Sequence, residues 1–214
     1  MKKGIDISHW NGTIDFEKVK ASGIDFVIIK AGGSDRGFYK DSMFETNYAK
    51  AKAAGLNVGA YYFVGKRFQG EEAGEADAKR FIEQIKDKEF EYPVWVDIEA
   101  PEAFYKEANT EAAIAFCKIM EKAGYFCGIY GSDISGFKDR LYHERLTDYA
   151  HWVARYGKAP EVCKDCQIWQ SSSKGSVSGI VGSVDLDTSY VDYPKIMKQK
   201  GLNGFKKAKK SKEE

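Results

Sequence analysis

The sequence predicts an α/β protein, an irregular TIM-like barrel of eight strands with about five main helices. Strand-like and helix-like stretches alternate through the first two thirds of the chain. That alternation argues for a parallel sheet flanked by helices. The alternation then breaks into strands joined by links with no helical period, which predicts a barrel with a truncated final third. The 214 residues fit this reading, since a regular eightfold barrel typically takes roughly 250.

The elements follow in order. Residues 4–8 form the first strand candidate, followed by a helix over about 15–21. The β-branched run 25–31 is the second strand, and the alanine-rich 41–54 a helix closed by Gly55. Residues 57–64 are the third strand and 71–88 the third helix. The fourth strand, 93–99, opens on Pro93. Asn109 reads as the N-cap of a helix over 110–123, with Gly124 past its end. Residues 126–130 are the fifth strand, and 134–146 hold the fifth helix. The last three strands are 151–156, 167–171 and 184–190. The gap 157–166 carries Pro160 and is too short for a crossover helix with its loops; the gap 172–183 is rich in serine and glycine. Parallel crossovers normally need a dozen or more residues, so some of these strands are expected to pair antiparallel. A short helix over 193–200 closes the domain, assigned to residues 1–200. Residues 201–214 are expected to be a charged tail or the start of a linker, disordered from Lys206 to Glu214.

The fourth strand is the most informative. It is apolar, yet it ends in Asp97 and Glu99, which alternation places on one face. Neighbouring carboxyls repel, and partial burial raises a carboxyl pKa, which is how such a group becomes a general acid at neutral pH. Barrel chemistry sits at strand C-terminal ends. Asp6 on the first strand and Asp185 on the eighth are placed to share that mouth; Asp187 is expected nearer the loop and solvated. Trp10, Tyr61, Tyr62, Phe63, Trp95, Tyr130, Trp152 and Trp169 surround the same rim. Acids ringed by flat apolar faces suit pyranose rings, and with no phosphate-binding glycine loop they point to glycoside hydrolysis.

Composition excludes other classes. A net charge of +1 shows no global basic surface for nucleic acid, and no apolar run approaches the roughly 20 residues of a membrane span. Met1-Lys2-Lys3 runs straight into a strand, so no signal peptide is expected. The four cysteines are expected to be reduced; Cys163-x-x-Cys166 resembles half of a zinc or redox motif, with no histidine near it in sequence. The three histidines lack metal-ligand spacing, so no metal and no cofactor are expected.

Several segments together resemble glycoside hydrolase family 25, the lysozymes (N-acetylmuramidases) of bacteria and phages. They are Gly4-Ile5-Asp6-Ile7-Ser8, Asp25-Phe26-Val27-Ile28-Ile29-Lys30-Ala31, Val58-Gly59-Ala60-Tyr61-Tyr62-Phe63, Val96-Asp97-Ile98-Glu99, Trp152-Val153-Ala154-Arg155-Tyr156, Ile168-Trp169-Gln170 and Val184-Asp185-Leu186-Asp187. The resemblance spans about residues 3–192. It implies cleavage of the β-1,4 bond between N-acetylmuramic acid and N-acetylglucosamine in peptidoglycan, with Glu99 as general acid/base. Asp97 would orient the substrate 2-acetamido group, while Asp6 and Asp185 shape the site. Tyr61, Tyr130 and Trp169 would contact the glycan; Tyr62 and Trp152, on the same rim, are further substrate-binding candidates. Tyr62 stands where many members carry histidine, and the loop 31–37 departs from the commoner Thr/Ser-Glu-Gly version. The implied partner is the glycan strand of bacterial peptidoglycan, met by a monomer at the cell wall, with neither nucleic acid nor membrane. Cytosolic synthesis followed by phage-type release, or a trimmed chain, would account for the missing export signal. A catalytically weak glycan-binding module and a hydrolase holding Mg²⁺ or Mn²⁺ on the same acids are the alternatives.

Overall fold

The computed structural model describes residues 1–207. Eight strands close a barrel: β1 (Lys2–Ile7), β2 (Phe26–Gly33), β4 (Asn57–Phe63), β5 (Val94–Asp97), β6 (Cys127–Ser132), β7 (Ala150–Ala154), β8 (Ile168–Gly175) and β9 (Val184–Ser189). The two-residue β3 (Tyr39–Lys40) folds back on the end of β2. Pairing is parallel from β1 through β8, while β9 lies antiparallel between β8 and β1. The expected antiparallel pairing is therefore confined to β9. The helix-free link 155–167 still makes a parallel crossover, because it is long enough to return over the barrel's outside without a helix.

Five α-helices cover the barrel: α1 (Phe16–Ala21), α2 (Phe44–Ala53), α3 (Gly70–Ile85), α4 (Lys106–Lys122) and α5 (Tyr193–Lys200). Asp15 caps α1 by accepting from the Lys18 amide at 3.1 Å. Helices α3 and α4 meet closely where Gly74 faces Ala112; a Cβ on Gly74 would lie 2.1 Å from the Ala112 carbonyl oxygen. Among the described residues, no helix is long and apolar enough to cross a membrane.

Two expectations need correction. Helix α4 starts at Lys106, four residues early, and Asn109 lies inside it, fully buried. Its amide donates to the carbonyl oxygens of Glu102 at 2.9 Å and Arg140 at 3.4 Å, so it ties the helix to neighbouring loops instead of capping it. The expected fifth helix is broken into a π-helical segment, Asp133–Lys138, and a 3-10 turn, His143–Arg145.

Alternation along the strands divides the core in two. Outward residues such as Val27, Ile29, Val58 and Val96 pack beneath the helices with Phe81 and Phe116. Inward residues Phe26, Ile28, Trp95, Tyr130, Trp152 and Ile168 fill the barrel, and Tyr193 and Met197 of α5 plug its lower end. The interior has space for Trp95 because β6 offers Gly128 there, where a Cβ would lie 2.3 Å from the indole.

The expected tail start at residue 201 does not hold. Asn203 is fully buried and joined to the barrel floor. It accepts from the Phe126 amide at 2.7 Å and donates to the Tyr92 carbonyl oxygen at 2.8 Å. Residues 201–205 therefore belong to the domain, and the expectation for 208–214 lies outside the described residues.

Candidate active site

At the upper end of the barrel the inward positions turn polar. A cleft of about 430 Å³ is lined by Asp6 and Ser8 from β1 and its exit, Lys30 from β2, Tyr61 and Phe63 from β4, Asp97 and Glu99 from β5 and its exit, Tyr130, Trp152 and Gln170 from β6 to β8, and Asp185 from β9; Trp10, Asp35 and Tyr156 complete the rim. Asp6, Asp97, Glu99 and Asp185 therefore meet, and Tyr61, Tyr130 and Trp152 line the same space.

The pleat excludes two of the expected contacts. Tyr62 lies between two inward residues and so faces outward; it is fully buried against Phe81 and Phe116, its hydroxyl 3.4 Å from the Asp77 carboxylate. Trp169 lies between inward Ile168 and Gln170, and its indole N–H donates to the Arg155 carbonyl at 2.8 Å on the barrel's flank. Trp95, named among the rim aromatics, is fully buried below the cleft, edge-on to Trp152 at 5.7 Å. The lining residues that sequence reasoning missed are Lys30, Gln170 and Ser8, together with Asp35 and Tyr156 at the rim. Strict alternation from Asp6 finds Ser8; Lys30 and Gln170 lie on other strands and need the strand register.

A hydrogen-bonded wall holds Asp6. Gln170 donates through Nε2 to the Asp6 carboxylate at 2.7 Å, and its Oε1 accepts from the hydroxyls of Tyr130 at 2.9 Å and Tyr156 at 3.0 Å. Asp187 corrects another expectation: it is buried and not solvated. Because β9 runs antiparallel, Asp185 pairs with Asp6 near the mouth and Asp187 pairs with Gly4 one layer deeper. One Asp187 oxygen accepts from the Trp152 indole at 2.8 Å. The other has no donor while both acids are ionised, and a proton on Asp6 supplies one. Burial, Asp187 and Asp185 together hold Asp6 well above the usual carboxylate range; burial pushes Asp187 up to about 7.

Asp97 and Glu99 differ in environment. Asp97 is 4 % exposed, and its Oδ1 is buried without a hydrogen-bond partner. Burial first, then the Glu99 charge, raise it well above the ordinary range, while Lys30 and Arg140 pull partly the other way. Glu99 lines the cleft and meets solvent, yet the surrounding walls desolvate it enough to raise its pKa, with Arg140 opposing. Arg140 also fixes the segment carrying Glu99, donating to the Pro101 carbonyl at 2.5 Å and lying 3.5 Å from that of Ile98. Lys30 is the one cation lining the cleft among the described residues; its ammonium lies 4.4 Å from the Phe63 ring centroid. The cleft thus holds two acids whose pKa values are raised, one wet and one dry.

The comparisons with known proteins agree with this geometry. The chain is 31% identical over 186 residues to the autolytic lysozyme of Clostridium acetobutylicum, covering 86% of this chain and 55% of that protein. It thus spans about half the length of that relative. The solved structure of the CTP1L endolysin superposes with a TM-score of 0.80 at 30% identity, over 92% of this chain and 70% of that one. The modular autolysin LytC of Streptococcus pneumoniae, solved in complex with a synthetic peptidoglycan ligand, gives 0.77 at 29% identity, over 88% and 46%. The profile described as Glycosyl hydrolases family 25 matches residues 5–180. The shared barrel and the matched span together make this chain a member of glycosyl hydrolases family 25.

Proposed function

We propose that the protein is a muramidase that cuts the β-1,4 bond between N-acetylmuramic acid and N-acetylglucosamine in peptidoglycan. The observation that carries this reading is the pairing of solvent-facing Glu99 with dry Asp97, whose Oδ1 has no partner. Glu99 stands where a glycosidic oxygen can reach it; Asp97 offers an unused acceptor beneath the sugar. An acetamido N–H donating to that acceptor favours the Asp97 anion. In the proposed complex Asp97 is the anion and Glu99 carries the proton that the leaving oxygen takes.

In the proposed reaction Glu99 protonates the leaving oxygen as the bond from C1 to that oxygen breaks. The acetamido carbonyl oxygen forms a bond to C1, and Asp97 holds the acetamido nitrogen and its growing positive charge. Glu99, now ionised, takes a proton from water as the water oxygen attacks C1 and the acetamido oxygen leaves. Two displacements at C1 retain its configuration. Asp6 and Asp185 border the same sugar, and Gln170 keeps Asp6 in place. Tyr61, Tyr130 and Trp152 form the wall. Trp10 is 80 % exposed on the rim and presents a free ring face for stacking.

The test is mass analysis of peptidoglycan digested by wild type and by Glu99→Gln. Muropeptides with N-acetylmuramic acid at the new reducing end are expected, with a rate loss of about 10²–10⁴ in the variant. A new reducing end on N-acetylglucosamine refutes the bond assignment. If wild type binds glycan but releases nothing from several wall types, the chain is a binding module.

A further inference from the structure

The truncated third of the barrel carries a second cluster, away from the cleft and unused by the proposed reaction. His151 lies on β7 with its side chain outward, between the inward residues Ala150 and Trp152. It packs against Phe137 at 5.0 Å and His143 at 5.6 Å. The link 155–167 lays Cys163 over the same spot. One ligand atom from each of His143, His151 and Cys163 lies within 4.8 Å of the others. The half-zinc motif Cys163-x-x-Cys166 thus finds in space the histidines that it lacks in sequence.

We propose that His143, His151 and Cys163 form a Zn²⁺ site that clips the helix-free link 155–167 to the barrel, with its fourth position open to solvent at His143. Two imidazoles and a thiolate are a borderline-soft donor set that suits Zn²⁺. Zinc bond lengths place such donors about 3.3–3.6 Å apart, so closure takes about 1 Å of side-chain movement.

The surroundings already resemble a supporting shell. His151 Nε2 donates to the Leu146 carbonyl oxygen at 3.1 Å, which leaves Nδ1 as the lone-pair nitrogen. The ring is neutral at physiological pH, because burial lowers its pKa to about 4. Asp133 holds the backbone under Cys163: its carboxylate accepts from the amides of Glu161 at 2.7 Å, Val162 at 3.0 Å and Cys163 at 3.1 Å, and pairs with Arg155 at 2.9 Å. His143 is only half-buried, so the site has a route for entry. Cys166 lies outside the donor set and lines a separate surface cavity with Trp169 and Tyr190. Binding exchanges one proton for the metal, which bonds to the sulfur as the Cys163 thiol releases H⁺ to solvent. Burial holds that thiol proton tightly, so affinity rises with pH.

The experiment titrates the full chain, free of any polyhistidine tag and kept reduced, with Co²⁺ and then Zn²⁺. One equivalent of Co²⁺ is expected to give a thiolate-to-cobalt charge-transfer band that Zn²⁺ abolishes. Zn²⁺ at a hundredfold excess over Kd is expected to raise Tm by about 5–10 °C. Cys163→Ser and His143→Gln should each remove the band, while Cys166→Ser keeps it; His143 is half-exposed, so its variant retains a folded domain. No band up to millimolar Co²⁺, or a band that survives Cys163→Ser, overturns the site. A rise in Tm without a band also overturns it, because that places the metal on the carboxylates of the cleft. None of these readouts depends on glycan cleavage.

Discussion

Gln170→Leu tests the wall that holds the cleft together. The substitution removes a 2.7 Å donor from Asp6 and the shared acceptor of the Tyr130 and Tyr156 hydroxyls. Tyr156 is 52 % exposed and rehydrates, so it adds little. Asp6 and Tyr130 are 7 % and 5 % exposed, and each is left short of a partner. A buried polar group so stranded costs about 1–3 kcal/mol. Two such groups, partly rescued by water entering the cleft, give a loss of about 2–4 kcal/mol. For a chain of this size that is a fall in Tm of about 4–16 °C. The assay is urea unfolding with the slope m compared between proteins, followed by thermal unfolding. A second effect separates this account from simple loss of packing. Gln170 lowers the Asp6 pKa, so the variant should keep its Asp6 proton to higher pH and lose less stability at acidic than at neutral pH. A loss below about 1 kcal/mol, the same at both, would refute the reasoning and mean that the wall is solvated.

The other predictions concern charge, contact and fit. Asp187 has a folded pKa of about 7 against an ordinary 3.8, so its contribution is fully present below pH about 4 and is lost as pH rises through 7. Asp187→Asn should therefore remove from the stability profile between those limits a downward slope of up to about 1.4 kcal/mol per pH unit; parallel profiles for the two proteins would disprove it. His151, buried and neutral, acts in the opposite sense: its share is lost as pH falls from about 6.5 toward 4. Tyr61→Ala should raise KM for soluble glycan fragments several-fold, whereas Tyr62→Phe should cost about 1 kcal/mol of stability, from its bond to Asp77, and leave KM unchanged. Equal KM effects from the two would contradict the placement of Tyr62 outside the cleft. Gly128→Ala should destabilise by about 1–3 kcal/mol in thermal unfolding, because its Cβ meets the Trp95 ring; an unchanged Tm would show that the interior yields there.

What the order of residues settles by itself is local and periodic. Asp97 and Glu99 lie on one face because side chains alternate along a strand, whatever the rest of the chain does. The rhythm of apolar runs and helical periods likewise carries the barrel and its missing helices, and the ordered motifs carry the family. The same alternation, applied strictly, separates Tyr61 from Tyr62 and Gln170 from Trp169. Composition alone cannot make that distinction, because an aromatic ring suits either face of a buried strand. Three features depend on tertiary structure. The direction of β9 is one: running antiparallel, it carries Asp187 down into the interior, and no local signal at 184–190 encodes that reversal. Asn109 is another, since its partners at Glu102 and Arg140 reach it only after the loops around α4 are packed. The third is the meeting of His143, His151 and Cys163, which no sequence spacing announces because three separate segments deliver them. Local sterics acts between neighbours in sequence and is legible there. Burial, and the pKa shifts it imposes on Asp6, Asp97 and Asp187, arises only when the strands have closed around those acids.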